Sequence, residues 1–101
     1  MAPLEITIAR SKDSVELTIG GDLDLRTVER FKRVLRDAVY EAHQTVNLDL
    51  SQLTFICSVG IGSLVSARQL AVEEGVTLRI VKASDQVELV LDLMAMGDYF
   101  F

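Results

Sequence analysis

The apolar residues of this chain change period along its length, and the order of the changes leaves few folds open. Leu4, Ile6 and Ile8 alternate with Glu5 and Thr7, and Val15, Leu17 and Ile19 repeat the alternation after a polar RSKDS stretch. Period two puts one set of side chains on one face of a strand, and the short polar link reads as a hairpin turn. From Arg26 to Ala42 the spacing becomes helical, with Val28, Phe31, Leu35, Ala38, Val39 and Ala42 on one stripe. Strand alternation returns at Val46, Leu48 and Leu50. A second helical stripe follows through Ile61, Leu64, Val65, Ala71 and Val72, then a strand in VTLRIV and a third helix in SDQVELVLDLMAMG. The order β-β-α-β-α-β-α predicts an α/β fold. Its sheet is mixed, an N-terminal hairpin plus parallel strands joined by right-handed crossovers, with the helices packed on it.

Local signals set the expected boundaries. Gly20-Gly21 should end the second strand, and Asp24 or Thr27 should cap the first helix by accepting a bond from a free N–H of its first turn. Ser58 is the expected cap of the second helix, with Cys57 filling a small apolar gap, and Gly75 is its expected left-handed terminator. Ser84 or Asp85 opens the third, where Asp85 and Glu88 have capping-box spacing. Met94, Met96, Tyr99, Phe100 and Phe101 read as cover at the core's edge. At 101 residues, without linker or repeat, the expectation is one domain over 1–101.

Composition removes several functional classes. Half of the residues are hydrophobic, enough for a core, and the formal charge of −5 disfavours nucleic acid, which needs a concentrated basic surface. One cysteine and one histidine, Cys57 and His43, supply neither a disulfide framework nor an ordinary zinc cluster. No apolar run reaches the roughly 18 residues of a membrane span, and MAPLEITIAR has no secretory core. The expectation is a cytoplasmic protein with no cofactor and no direct membrane insertion. Arg26, Arg30, Lys32, Arg33 and Arg36 gather half of the ten basic residues on the first helix. They read as a solvated face with Glu29 and Asp37, or as a stripe for an acidic partner.

The stretch FICSVGIGS, residues 55–63, carries the conspicuous chemistry. Cys57 and Gly60 between a strand and a helix have the look of a thiolate phosphate cradle, but Ser63 stands where such a loop needs an arginine, and Ile56 precedes the cysteine. Gly60 and Gly62 begin a dinucleotide fingerprint whose third glycine position is Val65. A tight strand-to-helix turn accounts for both glycines. In that turn the hydroxyl of Ser58 lies where a phosphate is well tolerated, because the helix dipole and free N–H groups favour negative charge.

GGDLDL, then VNLDLSQLTFICSVGIGSL, EEGVTLRIVKAS and VELVLDLMAMGDYF together resemble the STAS domain, the fold of bacterial anti-sigma factor antagonists and of sulphate-transporter tails. The resemblance implies that Gly21-Asp22-Leu23-Asp24 is the family's Gly-Glu-Leu-Asp element and that Asp49-Leu50-Ser51 is its strand motif. It aligns Cys57-Ser58-Val59-Gly60 with a loop that reads Asp-Ser-Ser-Gly or Asp-Ser-Thr-Gly in relatives. It therefore implies phosphorylation at Ser58 by an anti-sigma factor that is also a serine kinase, and reversal by a cognate phosphatase. The implied partner-binding residues are Asp22, Asp24, Cys57, Ser58, Val59, Gly60, Ile61 and Gly62. The implied module binds and does not catalyse. Cys57 replaces the family aspartate and Val59 its second hydroxyl. Those changes leave an alternative, a constitutive STAS scaffold in a signalling or lipid-transport complex without a phospho-switch.

Overall fold

The structure, a computed structural model, describes residues 2–93. Its elements are β1 (Glu5–Arg10), β2 (Ser14–Leu23), α1 (Val28–Glu41), β3 (Thr45–Ile56), α2 (Ser58–Glu73), β4 (Thr77–Ala83) and α3 (Asp85–Leu93). The sheet order is β1-β2-β3-β4, with β1 antiparallel to β2 and the other two pairings parallel. The expected mixed sheet is present, and a turn closed by Ser11 N–H donating to the Ser14 carbonyl joins the hairpin. Each of α1 and α2 links a strand to its next parallel neighbour in the same direction. Right-handed crossovers then put both helices on one face of the sheet, where they pack against each other.

That face is the core. Val15, Leu17 and Ile19 of β2, Val46, Leu48 and Leu50 of β3, and Leu78 and Ile80 of β4 are buried in one cluster with Phe31, Leu35 and Val39 of α1 and Leu64 and Ala67 of α2. The alternate residues Glu16, Thr18, Asn47 and Asp49 take the opposite face and stay partly exposed. There Asn47 Nδ2 donates to Glu16 Oε1 at 3.0 Å and Arg79 Nε donates to Asn47 Oδ1 at 3.1 Å, a polar rung across three strands.

Several boundaries differ from expectation. Gly20-Gly21 do not end β2: the strand runs on to Leu23 through register shifts between Thr18 and Gly20 and between Gly21 and Asp22. Gly21 has φ +87°, and a Cβ there would lie 1.9 Å from the Pro3 carbonyl oxygen. The glycine is what lets the N-terminal residues lie along the strand, where Asp22 N–H donates to Ala2 O at 3.2 Å. The same irregularity lengthens β3, which continues past Ser51 to Ile56 with Leu50, Leu53 and Ile56 buried at intervals of three. Period-two reading stops because β3 itself carries the extra residue at each shift: Asp49 to Gln52 lies opposite Thr18 to Gly20, and Leu53 to Phe55 opposite Gly21 to Asp22.

The caps also shift. Thr27 is at the N-cap position of α1 but makes no side-chain cap bond. Its hydroxyl donates to Asp22 O at 3.0 Å and accepts from Asp24 N–H at 3.0 Å, while Asp24 Oδ1 accepts from Arg26 N–H at 2.9 Å. Both residues brace the turn before the helix. Ser84, one of two expected openers of α3, accepts from Val87 N–H at 3.3 Å, so the Asp85–Glu88 spacing is not the one used. Gly75 terminates α2 as expected, at φ +70°, with Val76 N–H donating to Ala71 O at 2.8 Å. The buried stripe of α2 runs through Ile61, Leu64, Ala67 and Ala71, leaving Val72 exposed. The expected cover from Met94, Met96, Tyr99, Phe100 and Phe101 lies outside the described residues.

Candidate functional site

The sheet brings the two acidic-loop and cysteine-loop segments side by side. Leu23 pairs with Ile56 at the carboxyl ends of parallel β2 and β3, and Cys57 N–H donates to Leu23 O at 2.9 Å, carrying the ladder one residue further. In open α/β sheets this edge, beyond the carboxyl ends of the strands, is where ligands bind. The chain then turns into α2, with Ile61 N–H donating to Cys57 O at 3.1 Å.

Cys57, not Ser58, is the N-cap. Its backbone is extended (φ −84°, ψ 166°) and its Sγ accepts from Gly60 N–H at 3.4 Å. The thiol therefore occupies the position of a capping oxygen, with a weaker acceptor. Ser58 becomes the first helical residue, exposed, and its hydroxyl has no hydrogen-bond partner among the described residues. Gly60 fits the turn to the sheet: a Cβ on it would come within 2.8 Å of Leu23 Cδ2, and Leu23 is fully buried. Ile61 is buried as well. Of the loop residues implied as partner-binding, Ser58, Val59 and Gly62 face outward and Cys57 is half-buried, whereas Gly60 and Ile61 hold the turn from inside.

The acids lie on the adjoining strand end and both are occupied. Asp22 Oδ1 accepts from Thr54 Oγ1 at 2.7 Å and Oδ2 from Ala2 N–H at 3.1 Å, clipping the N-terminal segment to β3. Asp24 pairs with Arg26 at 2.8 Å. The Arg26 side-chain bond, aided by backbone N–H donors and opposed by some desolvation, holds the Asp24 carboxyl below the usual carboxylate range. Asp49 of the strand motif accepts from Ser51 Oγ at 2.6 Å and Ser51 N–H at 3.0 Å, a local brace on β3.

The thiol-enzyme reading gains no support from the geometry of the described residues. His43 precedes β3 and Cys57 follows it, so the whole 12-residue strand lies between them. Ser63 is buried and donates to Val59 O at 2.8 Å, leaving nothing in the arginine position to clamp an oxyanion. Among the described residues no group of three or more His, Cys, Asp or Glu could hold a metal, and no helix is long and apolar enough to cross a membrane.

Sequence reasoning missed three exposed apolar side chains at this edge of the sheet. Leu25 in the turn after β2 is 71% exposed, and Phe55 and Val59 are 43% and 40% exposed on either side of the loop. The signal was present, in a leucine inside a polar turn and a phenylalanine next to buried Ile56. The basic residues of α1 resolve into separate attachments. Arg30 Nη1 donates to Leu4 O at 2.7 Å, while Lys32 reaches Glu29 at 3.3 Å and Arg36 reaches Asp37 at 3.7 Å.

A family model described as Mlab, STAS domain, matches residues 6–100. The chain belongs to the STAS domain family. The anti-sigma-B factor antagonist of Staphylococcus epidermidis is 25% identical to this STAS domain over 95 residues, covering 94% of this chain and 88% of the relative. The anti-sigma factor antagonist SpoIIAA in its unphosphorylated form superposes with a TM-score of 0.81 at 18% identity, over 96% of this chain and 86% of that one. The phosphorylated form of SpoIIAA, from Bacillus, gives 0.75 at 17% identity, over 96% and 89%. At those identities the structural likeness speaks for the STAS fold alone, with its mixed sheet.

Proposed function

We propose that this STAS domain is a regulatory binding module of the anti-sigma factor antagonist kind, acting in the cytoplasm without catalysis or cofactor. Its partner is an anti-sigma factor that is also a serine kinase; phosphorylation of Ser58 releases it and a phosphatase restores binding. The observation that carries this reading is the exposed Ser58 hydroxyl in the first turn of α2, without a hydrogen-bond partner among the described residues, at the same sheet edge as the exposed apolar side chains of Leu25, Phe55 and Val59. A phosphate there adds about −1.5 to −2 charges. The helix N-terminus stabilises that charge in the free protein, whereas an apolar interface must desolvate it. The antagonist from Staphylococcus epidermidis and the two forms of SpoIIAA support the same reading.

A second reading is favoured by Cys57 and Val59, which replace the aspartate and second hydroxyl of the family loop: a constitutive scaffold in a signalling or lipid-transport complex. One experiment separates the two. The protein is incubated with the kinase-type anti-sigma factor of its own organism and ATP, and phosphate is mapped by mass spectrometry. The switch predicts one phosphate, at Ser58 and absent from Ser58→Ala, with Ser58→Asp binding at least about tenfold more weakly, near 1.4 kcal/mol. A partner that binds wild type and Ser58→Asp equally, and leaves Ser58 unmodified, refutes the switch in favour of the scaffold.

A further inference from the structure

We propose that the groove between α1 and α2 is a second docking element, which takes an acidic amphipathic segment of the protein partner; the inference rests on the binding-module reading above and extends it beyond the Ser58 loop. The groove encloses about 530 Å³, has Leu35 and Leu70 among its apolar lining, and carries Lys32 and Arg36 from α1. Val59 and Gly62 also line it, so it opens directly beside Ser58. Both helices start at the carboxyl edge of the sheet and run back along the same face, so the groove leads from the loop down between them.

Charge selects the occupant. The chain carries a formal −5, yet among the described residues no carboxylate lines this groove and the ionic groups lining it are the two cations. Lys32 and Arg36 are four residues apart, on one side of α1. Their present links, 3.3 Å to Glu29 and 3.7 Å to Asp37, join exposed side chains and exchange cheaply for a partner's carboxylates. On the α2 side a Cβ at Gly62 would meet nothing within 4 Å, so an incoming side chain has room there. An apolar floor under a basic rim suits a helix with leucine-like anchors on one face and acids beside them. A segment bound at the Ser58 loop would run straight on into it.

The probe is a synthetic helical peptide with leucines on one face and glutamates on the other, compared with a lysine-faced counterpart. Each is titrated into the isotope-labelled full chain and followed by NMR. The expected result is shifts at Lys32, Arg36, Gly62 and Ser66, at least tenfold weaker binding of the lysine-faced peptide, and a similar loss in the Lys32→Glu/Arg36→Glu variant. Gly62→Leu, which fills the groove from an open helical position, should abolish binding while the melting temperature holds or rises. Equal binding of both peptides, binding indifferent to Gly62→Leu, no binding at millimolar peptide, or uptake of dodecanoate in place of peptide would each overturn the proposal. None of these readouts involves a kinase or a modified Ser58, so the groove and the phospho-switch fail independently.

Discussion

Replacing Cys57 with aspartate puts there the residue that the family resemblance implies, and the structure says what it should do to stability. The Cys57 backbone already has the extended conformation of a helix cap, so Cys57→Asp needs no change of φ or ψ. At present the cap bond is a 3.4 Å contact from Gly60 N–H to a weak sulfur acceptor. A carboxylate oxygen in its place contributes about 1 kcal/mol as a cap. The first turn of α2 contains no acidic residue, so the new charge also gains about 0.3–1 kcal/mol from the helix dipole. The half-buried site and the acids on the adjoining strand end, Asp22 and Asp24, take back some of this. The net expectation is about 1 kcal/mol of added stability at pH 7, or roughly 4–8 °C in melting temperature for a domain of this size. Urea unfolding should show a higher midpoint at unchanged slope. The sign with pH follows from linkage: the new carboxyl has a folded pKa below its unfolded value of about 3.9. Its charge-dependent gain is complete above that value and disappears as pH falls through the folded pKa. Cys57→Asn keeps the hydrogen bond without the charge and should show a smaller gain that does not vary with acid. If Cys57→Asp is no more stable than wild type at pH 7, or keeps its full advantage in acid, the capping role assigned to Cys57 is wrong.

Two further outcomes test the frame around the site. Gly21→Ala combines about 1–2 kcal/mol for a non-glycine in the left-handed region with a collision against the Pro3 carbonyl. The N-terminal segment must leave β2, so urea unfolding should show a loss of at least about 2 kcal/mol and proteolysis should begin at residues 2–4; a loss within about 0.5 kcal/mol, the range of ordinary surface changes, would contradict the packing. Asp49 is held below the usual carboxylate range by the Ser51 hydroxyl, then the Ser51 N–H, with Lys82 assisting and burial opposing. Its contribution is present above the unfolded pKa of about 3.9 and is lost as pH falls through the lower folded value. Asp49→Asn should therefore flatten the decline of urea midpoints over that interval; an unchanged acid profile would show that the Ser51 brace carries no stability.

The element order, the mixed sheet and the buried stripes were legible because period-two and helical spacing report burial directly. Val15, Leu17 and Ile19 against Val28, Phe31 and Leu35 needed no further information. Gly20-Gly21 misled because glycine pairs signal strand ends and strand bulges equally, and only Pro3 lying against Gly21 distinguishes them. The cap of α2 was misplaced by one residue for a related reason. Side-chain chemistry ranks serine far above cysteine as a cap, but β3 runs to Ile56, and the Leu23 bond to Cys57 N–H fixes where the strand stops. Ser58 is singled out by family resemblance and helix-terminus chemistry. The exposed apolar residues Leu25 and Phe55 at the same sheet edge were invisible to periodicity, since neither belongs to a buried stripe.

The seating of Gly60 against Leu23 has a kinetic consequence. With Leu23 fully buried and Cys57 tied to its carbonyl, the turn bearing Ser58 is set by the sheet before any partner arrives. A partner meeting a shaped surface forfeits little ordering entropy at this side of the contact. Encounter rates should then vary little among loop variants, and differences between them should be read in how long the complex lasts.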